Sequence, residues 1–420
     1  MNRPDSLDKV LGRAVYSEDI ALPGLLHGRV LRAAVPHGLI EELDVEPARK
    51  MDGVACVLTA KDVPGDNRYG IAFADQWALS EDRVISTADA VALVAAETEE
   101  IARDAVKAIR VKYRPLPVLT DCHQAMAEGA PQLHPGKKNN VFMHTKVRKG
   151  DLEAGFAQAA VIVENTYKTQ VTDHAYLETE AGVGWIDPHG DLVIWSSCQY
   201  PFRDRRQVAS VLGLNQNRVR CIRAVTGGAF GGKEDVTVEV ALGLLIHHTR
   251  RPVRLIFDRE ESLTTQTKRH AIEIWTKWGA TQDGRLSAME GLVWGDTGAY
   301  AGLGPFAVKK CGIHLAGPYY IPHIKVDVWS VHTNNVIASA MRGFGVPQAA
   351  FAHERQMDEL ARRLGINPLR FRLMNALDAG LSTLTGHVMG PDVGIKASLE
   401  KIREEVLDDP SLRRYWEDLS

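Results

Sequence analysis

Thr226-Gly227-Gly228-Ala229-Phe230-Gly231-Gly232-Lys233-Glu234 is the stretch on which the reading of this chain turns. Its glycines permit positive φ and let peptide N–H groups approach a ligand with no Cβ in the way. Val236, Val240 and Leu244 follow at four-residue spacing, which predicts a helix and places the loop at that helix's N-terminus. Free amides and the helix dipole then make a natural anion or oxo-group site. A plain strand-to-helix turn is the competing reading. Gly227-x-x-x-x-Gly232-Lys233 is also one residue short of a phosphate-binding P-loop, which needs Ser or Thr next for magnesium. Position 234 is Glu, a carboxylate that nucleotide phosphates would repel, so triphosphate binding is disfavoured.

A second loop, Ala340-Met341-Arg342-Gly343-Phe344-Gly345-Val346-Pro347-Gln348, spaces a guanidinium fork and an aromatic face with glycines. Alone, a glycine-rich turn explains it; the two loops together ask for more. Outward from them the pattern is mixed. Strands are expected at residues 25–34, 54–58, 91–96, 192–195 and 253–257. Residues 274–278 and 288–294 flank Thr281-Gln282-Asp283-Gly284 as a hairpin would. Thr98 precedes two acids and an apolar-periodic stretch as an N-cap, and Asp151 precedes a short helix. A helix over 348–364 stops at Gly365, and Asn367-Pro368 opens the next.

The chain's 420 residues exceed the usual single-domain size. Residues 1–118 read as a small α/β unit, 119–145 as an aperiodic connector rich in proline, glycine and lysine, and 146–420 as a longer mixed domain. The fold class is α+β. Lys plus Arg total 50 against 53 Asp plus Glu, with no basic block, which argues against nucleic acid and anionic membrane as partners. No run of some 18 apolar residues predicts a membrane span, and Met1-Asn2-Arg3-Pro4-Asp5-Ser6 carries no apolar leader. Five scattered cysteines suit a reducing cytoplasm. No Cys-x-x-Cys or His-x-x-x-His pair offers a local zinc or iron-sulfur site, so any electrons must leave through another chain.

The loops at 226–234 and 340–348 together resemble the xanthine dehydrogenase and aldehyde oxidase family of molybdenum hydroxylases. Gly12-Arg13-Ala14-Val15-Tyr16-Ser17-Glu18-Asp19-Ile20, Gly53-Val54 and Leu58-Thr59-Ala60-Lys61-Asp62-Val63 extend the resemblance to the first domain, which looks like the family's a/b hammerhead. Lys149-Gly150-Asp151 and residues 174–178 also fit. Residues 146–420 would then be the first molybdopterin-binding domain. The resemblance implies a molybdenum-bearing pterin dithiolene, in bacteria commonly the cytosine dinucleotide form, with no metal ligand from this chain. Gln199 would offer a neutral amide to the apical oxo ligand. Gly228, Ala229, Phe230, Gly231 and Arg342 would lie against the cofactor, Glu234 would meet a substrate heteroatom, and Phe344 would wall an aromatic sandwich.

Two departures narrow the substrate. Lys310 stands where purine-hydroxylating members carry an arginine, and a lysine cannot reproduce the bidentate fork. Met341-Arg342-Gly343-Phe344 lacks the cysteine of the carbon monoxide dehydrogenase branch. The chain ends at Tyr415-Trp416-Glu417-Asp418-Leu419-Ser420, before the family's second cofactor domain and its general-base glutamate. The expectation is a heteromeric hydroxylase of N-heteroaromatics. A second molybdopterin-binding subunit would supply the base, and iron-sulfur and FAD subunits would remove electrons. An aldehyde-oxidising member and a non-catalytic cofactor-binding or assembly subunit are the alternatives.

Overall fold

In the computed structural model, which describes residues 5–408, Ile272–Ala280 alternates buried Ile272, Ile274 and Trp278 with part-exposed Glu273, Trp275 and Lys277. Met1–Pro4 and Tyr415–Ser420 lie outside the described residues. The alternation fixes register, because a slip by one would turn the apolar set to solvent. Ile272–Ala280 pairs antiparallel with Leu286–Gly298, as the hairpin pattern predicts. The turn between them is closed by Thr281, whose amide donates to Arg285 O (2.8 Å), with Gly284 at φ +86°. The full sheet runs Val161–Thr169, Ile272–Ala280, Leu286–Gly298, His323–His332, Val141–Lys149.

Two helices cover this sheet, Gly304–Ile313 and Val346–Leu364. The second packs Ala349, Ala352, Met357, Leu360 and Ala361 into the core and ends on Gly365 (φ +66°), the left-handed stop expected of glycine. Asn367 then caps Pro368–Asn375, its side chain accepting from Leu369 N and Arg370 N.

A seven-stranded sheet runs Val219–Arg223, Leu192–Ser196, Ala181–Ile186, Val253–Ile256, Leu26–Arg32, Ala90–Ala96, Val54–Leu58. Leu26–Arg32 pairs parallel with Val253–Ile256, so strands from the first hundred residues and from the middle of the chain share one sheet. Helix Glu99–Ala108, capped by Thr98 through Ile101 N (3.2 Å), buries Ala102 and Ala105 on this side. Residues 119–140 are tied down by side chains rather than by a period. Asn140 bonds Leu133 N, Ala125 O and Pro131 O, while Leu119, Ala125 and Leu133 pack on Val331.

One local expectation fails. The helix after the glycine loop is Glu239–Thr249 and does not include Val236. Residues 231–238 are spent in turns, and the Glu239 carboxylate accepts from Thr237 N (2.8 Å), fixing the chain just before the helix. Val236, Val240 and Leu244 are all buried, so the periodicity reported burial correctly and the helix start wrongly. The loop therefore does not sit on a helix N-terminus. Among the described residues no helix is long and apolar enough to cross a membrane.

Candidate active site

Gly228, Phe230 and Gly231 hold φ of +114°, +52° and +102°. For an aromatic residue the left-handed region costs on the order of 1 kcal/mol or more and persists only where neighbours over-determine it. Here Phe230 O accepts from Arg342 N (2.8 Å), and the ring stays 50% exposed. Most of the loop's amides are used internally. Gly227 donates to Glu178 Oε2 (2.7 Å), and Gly231 and Lys233 to Gln199 Oε1 (3.1 and 3.3 Å). Gly232 donates to Ala229 O (2.8 Å). The amides of Gly228, Ala229 and Phe230 have no partner among the described residues. Three consecutive free donors on a loop with positive φ suit an anion or oxo group without any help from a helix.

Gln199 lies just past the strand Leu192–Ser196, its own amide donating to Lys233 O (2.8 Å). Because two backbone donors claim its Oε1, the side chain is oriented with Nε2 as the outward group. That NH2 has no protein partner among the described residues.

Lys233 is turned the other way. It is 1% exposed, and its Nζ donates to Glu178 Oε2 (2.9 Å), Glu178 O (3.1 Å), Thr179 O (3.2 Å) and Ser197 Oγ (3.0 Å). Burial lowers its pKa, with Glu178 opposing the shift. A lysine engaged in this way cannot reach a phosphate, which removes the P-loop reading on geometry as well as on Glu234. Lys233 is a rivet between the loop and residues 178–179, a role that nothing in the local sequence signals.

The second loop meets the first directly. His174 Nε2 lies 2.8 Å from Ala340 O, and Arg269 Nη2 donates to Arg342 O (2.8 Å). Gly343, Phe344 and Gly345 take φ of +94°, +49° and +89°, so a second aromatic is held in the left-handed region. The Arg342 guanidinium is exposed and makes no hydrogen bond or ion pair among the described residues. Lys310, on helix Gly304–Ile313, places Nζ 5.8 Å from the Phe344 ring centroid, while Lys309 faces solvent. Half-buried Glu234 has its pKa raised by burial, with the Arg203 charge pulling the other way. Behind the loop, Ser339 Oγ donates to buried Asp235, whose pKa is pushed up to about 6 by burial.

Residues 133–376 match the molybdopterin cofactor-binding domain, and residues 11–117 the a/b hammerhead domain of aldehyde oxidase and xanthine dehydrogenase. The chain belongs to the molybdenum hydroxylase family. It is 41% identical over 404 residues to the nicotinate dehydrogenase large molybdopterin subunit of Eubacterium barkeri, covering 96% of this chain and 95% of that one. Against a probable xanthine dehydrogenase subunit from Bacillus subtilis it is 40% identical, covering 89% of this chain but 50% of that one. The solved aldehyde oxidoreductase from Desulfovibrio gigas superimposes with a TM-score of 0.92 at 31% identity, over 97% of this chain and 46% of that one. This chain thus spans about half the length of several of its relatives.

The sequence-predicted residues of this molybdenum hydroxylase chain converge. Gln199, the 228–231 turn and Arg342 are linked by the contacts above, Glu234 ends the same loop, and Lys310 stands over Phe344. The residues that sequence reasoning left without a role are the scaffold: His174, Tyr176, Glu178 and Arg269. Tyr176 donates to buried Glu180 and lies under the Lys233 ammonium, 4.6 Å from its ring centroid. The donor set fits a molybdopterin, since three unpaired amides, an unpaired guanidinium and an uncharged amide all suit an anionic, oxo-bearing group.

Close approach of the loops gives one stability prediction. A Cβ on Gly231 would stand 2.9 Å from Ala340 O and 3.0 Å from Met341 Cα, at a φ that disfavours L side chains. Gly231→Ala should lower stability by about 1–3 kcal/mol. The check is a urea midpoint, and an unchanged midpoint would show that the two loops are not in contact.

Proposed function

We propose that this chain is the cofactor-gripping, substrate-positioning half of the active site in a heteromeric molybdenum hydroxylase acting on N-heteroaromatic compounds. The observation that carries this reading is the meeting of two strained aromatic loops beside an outward amide and three unpaired backbone donors. When bound, the molybdenum cofactor supplies water activation and two-electron oxidation at an electron-poor carbon.

The chain's own residues bind and orient. Gly228, Ala229 and Phe230 offer amides, Gly231 lets the loop close on its neighbour, and Arg342 adds a positive fork for a phosphate of the pterin, in its cytosine dinucleotide form. Gln199 presents a donor that does not compete as an anionic ligand. Phe344 stacks the substrate ring. Glu234, its proton retained to higher pH than an ordinary glutamate's, donates to a ring nitrogen. Lys310, beside Phe344, pairs with a substrate carboxylate, which favours a pyridine carboxylate over an uncharged purine.

The general-base glutamate, the second molybdopterin-binding half, the iron-sulfur centres and FAD belong to partner subunits. The relative matched over 95% of its length is named as one subunit of its enzyme. All five cysteines are free, in keeping with a reducing cytoplasm. The three-part division at residues 118 and 145 remains part of this reading.

The test is turnover by the co-purified complex of pyridine carboxylates, purines and aldehydes, with Lys310→Met beside the wild type. The expected result is a KM for the carboxylate-bearing substrate raised about tenfold or more by the lost charge-assisted contact. Uncharged heteroaromatics should be unaffected. Turnover of aldehydes alone would replace this reading with the aldehyde-oxidising one.

A further inference from the structure

Asp75, His134 and His332 lie far apart in sequence, yet one donor atom of each lies within 4.8 Å of the others. Asp75 precedes the short strand Gln76–Trp77, His134 sits in the side-chain-tied segment after residue 118, and His332 ends the strand His323–His332. His134 and His332 are 7% and 1% exposed. None of the three belongs to the cofactor loops.

The hydrogen bonds around these groups fix their tautomers. His332 Nδ1 lies 3.1 Å from Gly298 O and His134 Nε2 lies 2.6 Å from Ala299 O. A carbonyl only accepts, so those nitrogens carry the protons. Each ring can therefore offer the lone pair of its other nitrogen, the one not engaged with a carbonyl, to an ion. His332 Nε2 is buried with no partner, and so is Asp75 Oδ1, although Asp75 Oδ2 accepts from Ala301 N (2.9 Å). Buried polar atoms left unpaired in a native fold call for an explanation such as an ion or water. Histidines whose far N–H is held by a backbone carbonyl are the usual supporting arrangement of metal-ligating imidazoles.

We propose that Asp75, His134 and His332 form a binding site for a divalent transition metal of the zinc class. Two neutral imidazoles and one carboxylate are the donors such an ion prefers, while calcium and magnesium require mostly oxygen. The imidazole centroids are 4.5 Å apart at 41°, a little closer than the roughly 5 Å expected for two rings on one tetrahedral ion at a metal–nitrogen distance of about 2.0 Å, so a small rotation of either ring would seat the ion. Charges around the site set its strength. Lys137, whose ammonium lies 4.1 Å from the Phe142 ring centroid, and the guanidiniums of Arg68 and Arg83 all act on His134 and oppose a cation. Binding therefore rests on the nitrogen donors and is weakened by Lys137. A bound ion would join three segments that only tertiary contacts bring together.

The test uses the co-purified complex. Elemental analysis should find about one zinc per copy of this chain in addition to molybdenum, and Co2+ added after chelation should give visible ligand-field absorption. His332→Gln should lose both signals, and zinc should raise the melting temperature of the wild type but not of that variant. Lys137→Met, which keeps all three donors, should bind zinc severalfold more tightly and provides the test if His332→Gln does not fold. Zinc below about a tenth of an equivalent together with no Co2+ absorption would overturn the proposal and leave a bridging water as the occupant. So would equal metal binding by the wild type and His332→Gln, or an unchanged affinity in Lys137→Met.

Discussion

Glu234→Ala is expected to lower kcat/KM for an N-heteroaromatic substrate by about 10²–10⁴-fold, the usual worth of a positioned proton donor, with molybdenum and pterin content unchanged. The two effects separate because the backbone donors at 228–230 and the Gln199 amide do not depend on the Glu234 side chain. Equal loss of turnover and cofactor would place Glu234 in the cofactor cradle instead. The raised pKa adds a pH test. A raised carboxyl pKa means that the native state favours the protonated form. The stability this group contributes is full below its unfolded value and is lost as pH rises through its folded value. Glu234→Gln, neutral at every pH, should therefore gain stability over the wild type on the alkaline side while losing activity. A variant less stable than the wild type at alkaline pH would show that the ionised carboxylate is well accommodated.

Lys233→Met should be the most destabilising single change at the site, by about 3–5 kcal/mol, because it leaves the Glu178 carboxylate buried without its counter-charge. With total stability of order 5–15 kcal/mol, that is a large share. The side chains are 1% and 9% exposed, so solvent screening offers little relief. Adding Glu178→Gln should recover much of the loss, since the cost lies in the orphaned charge and not in the missing lysine. Denaturant midpoints of the two single variants and the double variant measure this directly. A Lys233→Met midpoint within about 0.5 kcal/mol of the wild type would mean that the ammonium is not seated as described.

Much of the fold could be read from short-range signals. Thr98, Asp151 and Asn367 cap helices as their positions suggest, Gly365 ends the long helix, and Thr281–Arg285 closes the expected hairpin. Each rests on chemistry within a few residues. Val236 misled because burial recurs every four residues there while the backbone is still turning. The parallel pairing of Leu26 with Val253 has no local correlate at all.

The same limit governed the site. Glycines and aromatics mark both loops in the sequence, but the proximity of Lys310 to Phe344 emerges only in the fold, and the reason Lys233 is not a phosphate ligand lies in Glu178 and Ser197. No neighbouring histidine or cysteine pair in the sequence spells a zinc motif, because Asp75, His134 and His332 meet only after folding.

The central claim is that this molybdenum hydroxylase chain holds a molybdopterin between its two loops. Molybdenum and pterin analysis of the complex co-purified with its partner subunits tests it most directly. About one molybdenum and one pterin per copy of this chain is the expected result. A complex free of both would contradict the account.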